Sequence, residues 1–183
     1  MPTIHNDTRL VLLVGGARSG KSSLAVDLGK QHDGEVCFIA TAQAHDDDMR
    51  DRIERHRGER PSWVTIEEPT DLAGALIRCP NDAFVIIDCL TLWVSNLILH
   101  GDSEADIVDS THKTIAEISV RSSPTIVISN EVGLGIIPDN ALARQYRDVL
   151  GRVNQQFATS AQRTLFIVAG KAFELHNPRD LIS

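Results

Sequence analysis

Six short runs of β-branched and aliphatic residues punctuate the chain: "LVLLV" (10–14), "VCFIA" (36–40), "WVTIE" (63–67), "FVIID" (84–88), "TIVIS" (125–129) and "TLFIV" (164–168). Runs this short and this continuously apolar predict strands buried on both faces, since a half-exposed strand would alternate. The intervening segments carry helical patterning with recognisable starts. "SSLAVDLGKQ" follows the first strand. After the second, Asp46, Asp47 and Asp48 suit a helix N-terminus, where carboxylates meet the dipole, and Gly58 and Pro61 suit its end. Thr70-Asp71 opens "DLAGALI", and Ser103 with Asp106 has the form of a capping box ahead of "ADIVDSTHKTIAEISV". Pro138-Asp139 opens "NALARQYRDVLGRVNQQFATSA", in which Leu142, Tyr146, Val149, Val153 and Phe157 recur at helical spacing. Strands alternating with helices predict a three-layer α/β domain with a mostly parallel sheet. No repeat, low-complexity tract or linker interrupts the pattern, so residues 1–183 read as a single domain.

In sheets of this kind ligands collect beyond the carboxyl ends of the strands, so the residues after each apolar run carry the functional information. After the first run stands "GGARSGKS", which fits G-x-x-x-x-G-K-S. Gly15, Gly16, Ala17, Arg18, Ser19 and Gly20 would curl so that successive N–H groups point at phosphate oxygens, with the N-terminal end of the next helix behind them. Lys21 would reach the β- and γ-phosphates, and the Ser22 hydroxyl would ligate Mg²⁺. A glycine-rich turn can match by chance. The apolar strand directly before and the helix directly after favour a nucleotide loop. Asp88, at the end of "FVIID", is the natural second carboxylate on the metal side, its structural alternative being a helix or turn cap.

The segment after the second strand poses a sharper question. On its helix Met49, Ile53 and His56 share one face with Arg52 beside them, and Arg52, Arg55, Arg57 and Arg60 surround the imidazole. One reading is a hydrogen-bonded, inert histidine on an apolar face. The other is a nucleophile facing a bound nucleotide, with arginine forks gripping phosphate and disfavouring imidazolium. Residue chemistry alone leaves both open.

Composition narrows the partners. The 183 residues carry a formal charge of −7, and only 4% are aromatic, which argues against nucleic-acid or anionic-membrane binding. Cys37, Cys79 and Cys89 have neither metal-type spacing nor an even count, so they read as buried thiols. The first apolar run, of five residues, is too short for a signal sequence or a membrane span. These features predict a cytoplasmic protein.

Taken in order, "GGARSGKS", "FIATAQ", "DDDMRDRIERHRGERPSW", "TIEEP", "DCLTLWVSN", "SNEVGLGIIP" and "LARQYRDVLGRVNQ" resemble the bifunctional cobinamide kinase/cobinamide-phosphate guanylyltransferase family of cobalamin biosynthesis, from about Leu10 to Leu175. The resemblance implies a RecA-like P-loop domain, a homotrimer and a corrinoid substrate. It further implies two reactions. ATP or GTP phosphorylates the aminopropanol hydroxyl of adenosylcobinamide. GTP then guanylylates a histidine, which passes GMP to adenosylcobinamide phosphate to give adenosylcobinamide-GDP. The "RIxxHxxxRP" pattern puts that histidine at His56, with Arg57 and Arg60 helping to offset phosphate charge. Ala42, Gln43 and Glu67 match positions that contact guanine nucleotide in the family, and Asp88 matches an acidic nucleotide-site position. For Glu67 the residue-level alternatives are an exposed strand-end carboxylate or an acceptor for guanine N–H groups. His5, His32, His45, His100, His112 and His176 match no motif and are expected at the surface.

Two further constellations stand outside these assignments. Asn130 and Glu131 follow the fifth strand, with Gly133 and Gly135 able to take positive φ in the loop beyond. Arg144, Arg147, Gly151 and Asn154 form a polar stripe on one helix face, suited to a subunit contact or to a corrinoid phosphate. The chain departs from the family pattern at Lys171-Ala172, which puts the local turn there in question.

Overall fold

All six apolar runs become strands, and a seventh strand joins them. The computed structural model describes residues 8–43, 47–58 and 60–182, with Asp48, Met49, Arg52, Arg55 and His56 described by backbone alone. In chain order the elements are β1 (Leu10–Val14), α1 (Lys21–Lys30), β2 (Val36–Ala40), α2 (Asp47–Gly58), β3 (Val64–Glu67), α3 (Leu72–Arg78) and β4 (Phe84–Asp88). There follow α4 (Leu90–His100), α5 (Glu104–Ser119), β5 (Thr125–Ile128), α6 (Ala141–Ser160), β6 (Arg163–Val168), β7 (Lys171–Leu175) and a 3₁₀ turn, Pro178–Leu181. The sheet order is β3-β2-β4-β5-β1-β6-β7, parallel throughout except for the antiparallel β6–β7 pair.

The strand pleat divides the apolar residues between two cores. Leu10 and Leu12 of β1, Cys37 and Ile39 of β2, and Val85 and Ile87 of β4 pack with Leu76, Trp93, Ile118 and Phe157 of the helices on one face. Val11, Leu13, Phe38, Ile86 and Ile126 point the other way and meet Ala25, Leu24 and Leu28 of α1. Each fully buried aliphatic side chain in these layers contributes about 1.5–3 kcal/mol of transfer free energy. The expected three layers with a mostly parallel sheet are thus present. The Cys37 and Cys79 thiols are buried, their sulfurs 2.7 Å apart.

Local chemistry explains three of the helix starts. Asp71 caps α3 by accepting from the Gly74 N–H at 2.9 Å. The Ser103–Asp106 capping box starts α5 as its sequence predicts. Helix α6 begins at Ala141, one residue into the expected segment, because Asn140 supplies the cap, accepting from the Ala143 N–H at 2.7 Å. Leu142, in its first turn, is 53% exposed and does not join the core that Val149, Val153 and Phe157 enter. Gly133 and Gly135 are not among the positive-φ glycines, which are Gly15, Gly20, Gly101 and Gly170.

Two elements lack a plain periodic signal. Helix α4 is apolar almost all round, burying Leu90, Trp93, Val94 and Leu97, and so shows no amphipathic stripe to read. Strand β7 is exposed along its whole length at the sheet edge.

Arg121 shows what holds the far end of the sheet. This buried side chain donates to Leu76 O at 3.3 Å, Pro80 O at 2.6 Å and Ala83 O at 2.9 Å, tying the end of α3 to the start of β4. Arg121→Ala would strand those carbonyls and is expected to cost about 2–4 kcal/mol, read as a lower urea midpoint. Glu68 does similar work after β3. Burial alone would raise its carboxyl, but hydrogen bonds from the Asp71 N–H, the Arg78 guanidinium and the Thr70 N–H outweigh that and hold it below the ordinary 4.5. Its contribution to stability is therefore full above 4.5 and lost as pH falls through the depressed folded-state value. The stability gap between the wild type and Glu68→Gln should be constant near neutrality and close on acidification, as followed by denaturation at stepped pH.

Candidate functional site

Strand β1 delivers the chain into a tight loop whose shape is set by two glycines. Gly15, at φ 151°, is pressed so closely on β6 that a Cβ would lie 2.1 Å from the Ile167 carbonyl oxygen. Gly20, at φ 103°, is in the left-handed region and serves as the N-cap of α1, so the loop runs straight into the helix terminus. Gly16, Ala17 and Arg18 form the exposed crest, with Arg18 at φ 57°.

Lys21 turns back into this loop. Its Nζ donates to Gly15 O at 2.9 Å, Gly16 O at 2.6 Å and Ser19 Oγ at 3.2 Å. Burial lowers its pKa, opposed by the nearby Cys89 thiol and the Asp88 carboxylate. A buried cation held by neutral oxygens in a ring of backbone is chemically suited to an anion. Ser22 follows on α1, half-buried.

The loop also has a wall that the sequence pattern missed. Ala169 (φ 49°) and Gly170 (φ 70°) form the two-residue turn between β6 and β7, the conformation a tight hairpin requires. The Gly170 N–H donates to Ser19 O at 3.0 Å. Lys171 and Ala172 lie beyond that turn, in β7, so the departure from the family pattern falls on a strand. On the opposite side the Glu131 N–H donates to Gly15 O at 3.2 Å.

Asp88 ends β4 in register with Ala40 and Ile128, at the same edge as the loop, and its charge acts on both Lys21 and Arg60. It does not cap α4; Cys89 occupies that position, without a side-chain cap bond. Side chains of the neighbouring segments lace the edge together. Thr41 Oγ1 accepts from the Cys89 N–H at 2.8 Å and donates to Cys89 O at 2.8 Å. Asn96 donates to Thr41 O at 2.8 Å and Pro69 O at 3.0 Å, and the Trp93 indole donates to Thr70 O at 2.7 Å. Thr41 and Asn96 were not singled out by motif. Their signal was polarity inside an apolar run, most plainly the buried Asn96 within "LTLWVSNLIL".

Beyond β2, Ala42 is half-buried and Gln43 exposed. His56 lies in the last turn of α2, one residue before Arg57, with its side chain outside the described ones; Asp46 and His45 are outside the described residues altogether. Arg57 pairs with Glu67, joining two of the expected site residues. Arg60 sits 3.9 Å above the Phe38 ring, and burial followed by repulsion from Arg57 lowers its pKa against the pull of Asp88. The structure therefore gathers the phosphate loop, Lys21, Ser22 and Asp88 at one edge, with the Arg57–Glu67 pair and Arg60 on the neighbouring segment.

The α6 stripe divides on inspection. Asn154 is buried and structural: it accepts from Ser129 Oγ at 2.5 Å and donates to Asn130 O at 3.0 Å. Arg144 donates to Pro138 O at 2.9 Å and Asp139 O at 2.6 Å. Among the described residues no group of three or more His, Cys, Asp and Glu side chains is placed to hold a metal, and no helix is long and apolar enough to cross a membrane.

The Gly15 contact gives a direct test of this geometry. Gly15→Ala should push the loop off β6, lowering affinity for a fluorescent GTP analogue at least tenfold, while Gly16→Ala, whose Cβ meets nothing within 4 Å, should be tolerated far better.

Comparison with known proteins agrees with this architecture. Among solved structures, an ATPase of a bacterial type III secretion system matches with a TM-score of 0.56 at 8% identity, covering 90% of this chain and 56% of that one. The RadB recombinase matches with a TM-score of 0.50 at 14% identity, covering 86% of this chain and 73% of that one. Identities this low speak for the fold alone. Sequence relatives are more specific. The bifunctional adenosylcobalamin biosynthesis protein CobP of Pseudomonas aeruginosa is 42% identical over 163 residues, 87% of this chain and 92% of that protein. The proteins named CobU in Escherichia coli and Salmonella typhimurium are 38% and 36% identical, each over 88% of this chain and 96% of theirs. The family described as cobinamide kinase / cobinamide phosphate guanyltransferase matches residues 11–175, and the chain belongs to that family.

Proposed function

We propose that this chain, working as one domain, phosphorylates the hydroxyl arm of a cobinamide and then transfers GMP from GTP to the resulting phosphate. The observation that carries the reading is the phosphate loop Gly15–Ser22 in a chain that matches the kinase/guanyltransferase family over residues 11–175 and holds His56 in the arginine-rich α2. The loop N–H groups and Lys21 bind the triphosphate of ATP or GTP. Lys21 exchanges its three loop oxygens for phosphate oxygens, which return the counter-charge that burial denies it.

A divalent cation fits the donor set at the edge. Ser22 and Asp88 offer a hydroxyl and a carboxylate, the hard oxygen ligands Mg²⁺ takes alongside phosphate and water. When bound, Mg²⁺ neutralises charge developing on the phosphoryl oxygens. In the kinase step the arm hydroxyl attacks the γ-phosphorus and the nucleoside diphosphate leaves.

In the second step the neutral His56 imidazole attacks the α-phosphorus of GTP, forming a P–N bond as the bond to pyrophosphate breaks. An oxygen of cobinamide phosphate then attacks the same phosphorus and releases the ring, giving the GDP adduct. Arg57 and Arg60 offset phosphate charge in that step. Glu67 takes guanine N–H groups by giving up Arg57, and Ala42 and Gln43 border the base. The exposed edge strand β7, with Phe173 and Leu175 bare, supports association of copies, and three is the number the family resemblance implies. A biosynthetic role on soluble cofactor precursors fits a cytoplasmic location.

GTP labelled in the α-phosphate tests the covalent step. The wild type should retain acid-labile label after denaturation. His56→Ala should lose the label and the GDP adduct, yet still phosphorylate cobinamide. Label persisting in that variant moves the nucleophile elsewhere, and an unlabelled wild type reduces the activity to that of a kinase.

A further inference from the structure

The loop beyond β5 carries the largest group of bare aliphatic side chains near the phosphate site, and neither the phosphate chemistry nor the core accounts for it. Leu134, Ile136 and Ile137 are 80%, 97% and 67% exposed. Contiguous exposed apolar surface of this kind marks a ligand or partner contact. The seven residues "VGLGIIP" (132–138) contain no charged side chain.

The base of this loop is held by specific bonds on both sides. At its start the Glu131 N–H donates to Gly15 O at 3.2 Å, and the Glu131 carboxylate accepts from the Gly133 N–H at 2.7 Å. Asn154 holds Asn130 O at 3.0 Å. At its end Arg144 holds Pro138 O and Asp139 O at 2.9 and 2.6 Å. A segment anchored in this way presents its aliphatic tips at a set place. That place follows from the strand order: β5 lies between β4, which ends in Asp88, and β1, which runs into the phosphate loop. The loop therefore leaves the sheet between the Asp88 carboxylate and the Gly15–Ser22 loop. Another bare apolar pair, Phe173 and Leu175, is on β7, with β1 and β6 between it and β5.

We propose that Leu134, Ile136 and Ile137 are the seat of the corrin ring, with the hydroxyl arm extending past Glu131 to the phosphate loop. This rests on the function proposed above and assigns the acceptor half of its site. A corrinoid suits the surface chemically. Its ring carries methyl groups on both faces and uncharged amides on the rim, so it gains from aliphatic contact and needs no counter-charge. The acceptor is held by area and the nucleotide by charge, so the two halves of the site are separable by mutation.

Equilibrium dialysis with dicyanocobinamide, alongside steady-state kinetics and sedimentation, tests the assignment. Ile136→Ser and the double variant Leu134→Ser/Ile136→Ser should raise the cobinamide Kd and KM at least tenfold while the KM for GTP stays within about twofold and the assembly sediments unchanged. Unchanged cobinamide binding in both variants overturns the proposal. So does a change of oligomeric state, which would make the loop a contact between copies. A wild type that binds GTP but neither binds nor phosphorylates cobinamide overturns the functional reading itself, a result distinct from a variant that behaves as wild type.

Discussion

A parallel strand cannot hand the chain directly to its neighbour; the chain must cross back over the sheet before the next strand begins. Six strands here obey that rule, so their carboxyl ends emerge along one edge and each releases a segment there. The phosphate loop, Thr41 to Gln43, Glu67, Asp88 and the loop after Ile128 are neighbours for this reason, although they are scattered over more than half the sequence. Removing the topology would leave the same residues with no common site. Burial enforces it in the middle of the sheet, where β1, β2, β4 and β5 carry apolar side chains to both faces; β3, expected to be buried like them, is mostly exposed because it stands at the sheet edge.

The edge so produced is braced by backbone-directed bonds more than by ion pairs. Thr41 grips Cys89 through both its N–H and its carbonyl, Asn96 ties the segments after β2 and β3, and the β6–β7 turn leans on Ser19. These bonds satisfy main-chain groups that a loop would otherwise leave to water, and they fix where the functional side chains start. The ion pairs at the edge are exposed and correspondingly weak; Arg57 with Glu67 is one, and such a pair is cheap to exchange for another partner.

Much of this was legible in the amino-acid order. Every apolar run became a strand within a residue or so, because β-branched runs bounded by polar segments have few other outcomes. The phosphate loop was legible because its glycines and lysine have fixed spacing. Helix α4 and strand β7 were not, for opposite reasons. Helix α4 is buried on nearly every side and so loses the stripe that periodicity detects, whereas β7 is bare on both faces and owes its conformation to pairing with β6. The stripe on α6 misled in part, since spacing placed Asn154 with Arg144 while tertiary contact made it a brace for the end of β5. Thr41 was hidden because its role depends on a residue 48 positions away.

The inward turn of Lys21 reaches beyond the loop that contains it. Two carbonyls and a hydroxyl occupy its three protons, so the ammonium knots the loop together from within. Whatever unties it must outbid those oxygens together. Solitary, weakly charged anions are poor at this, whereas a chain of linked phosphoryl groups can displace all three at once.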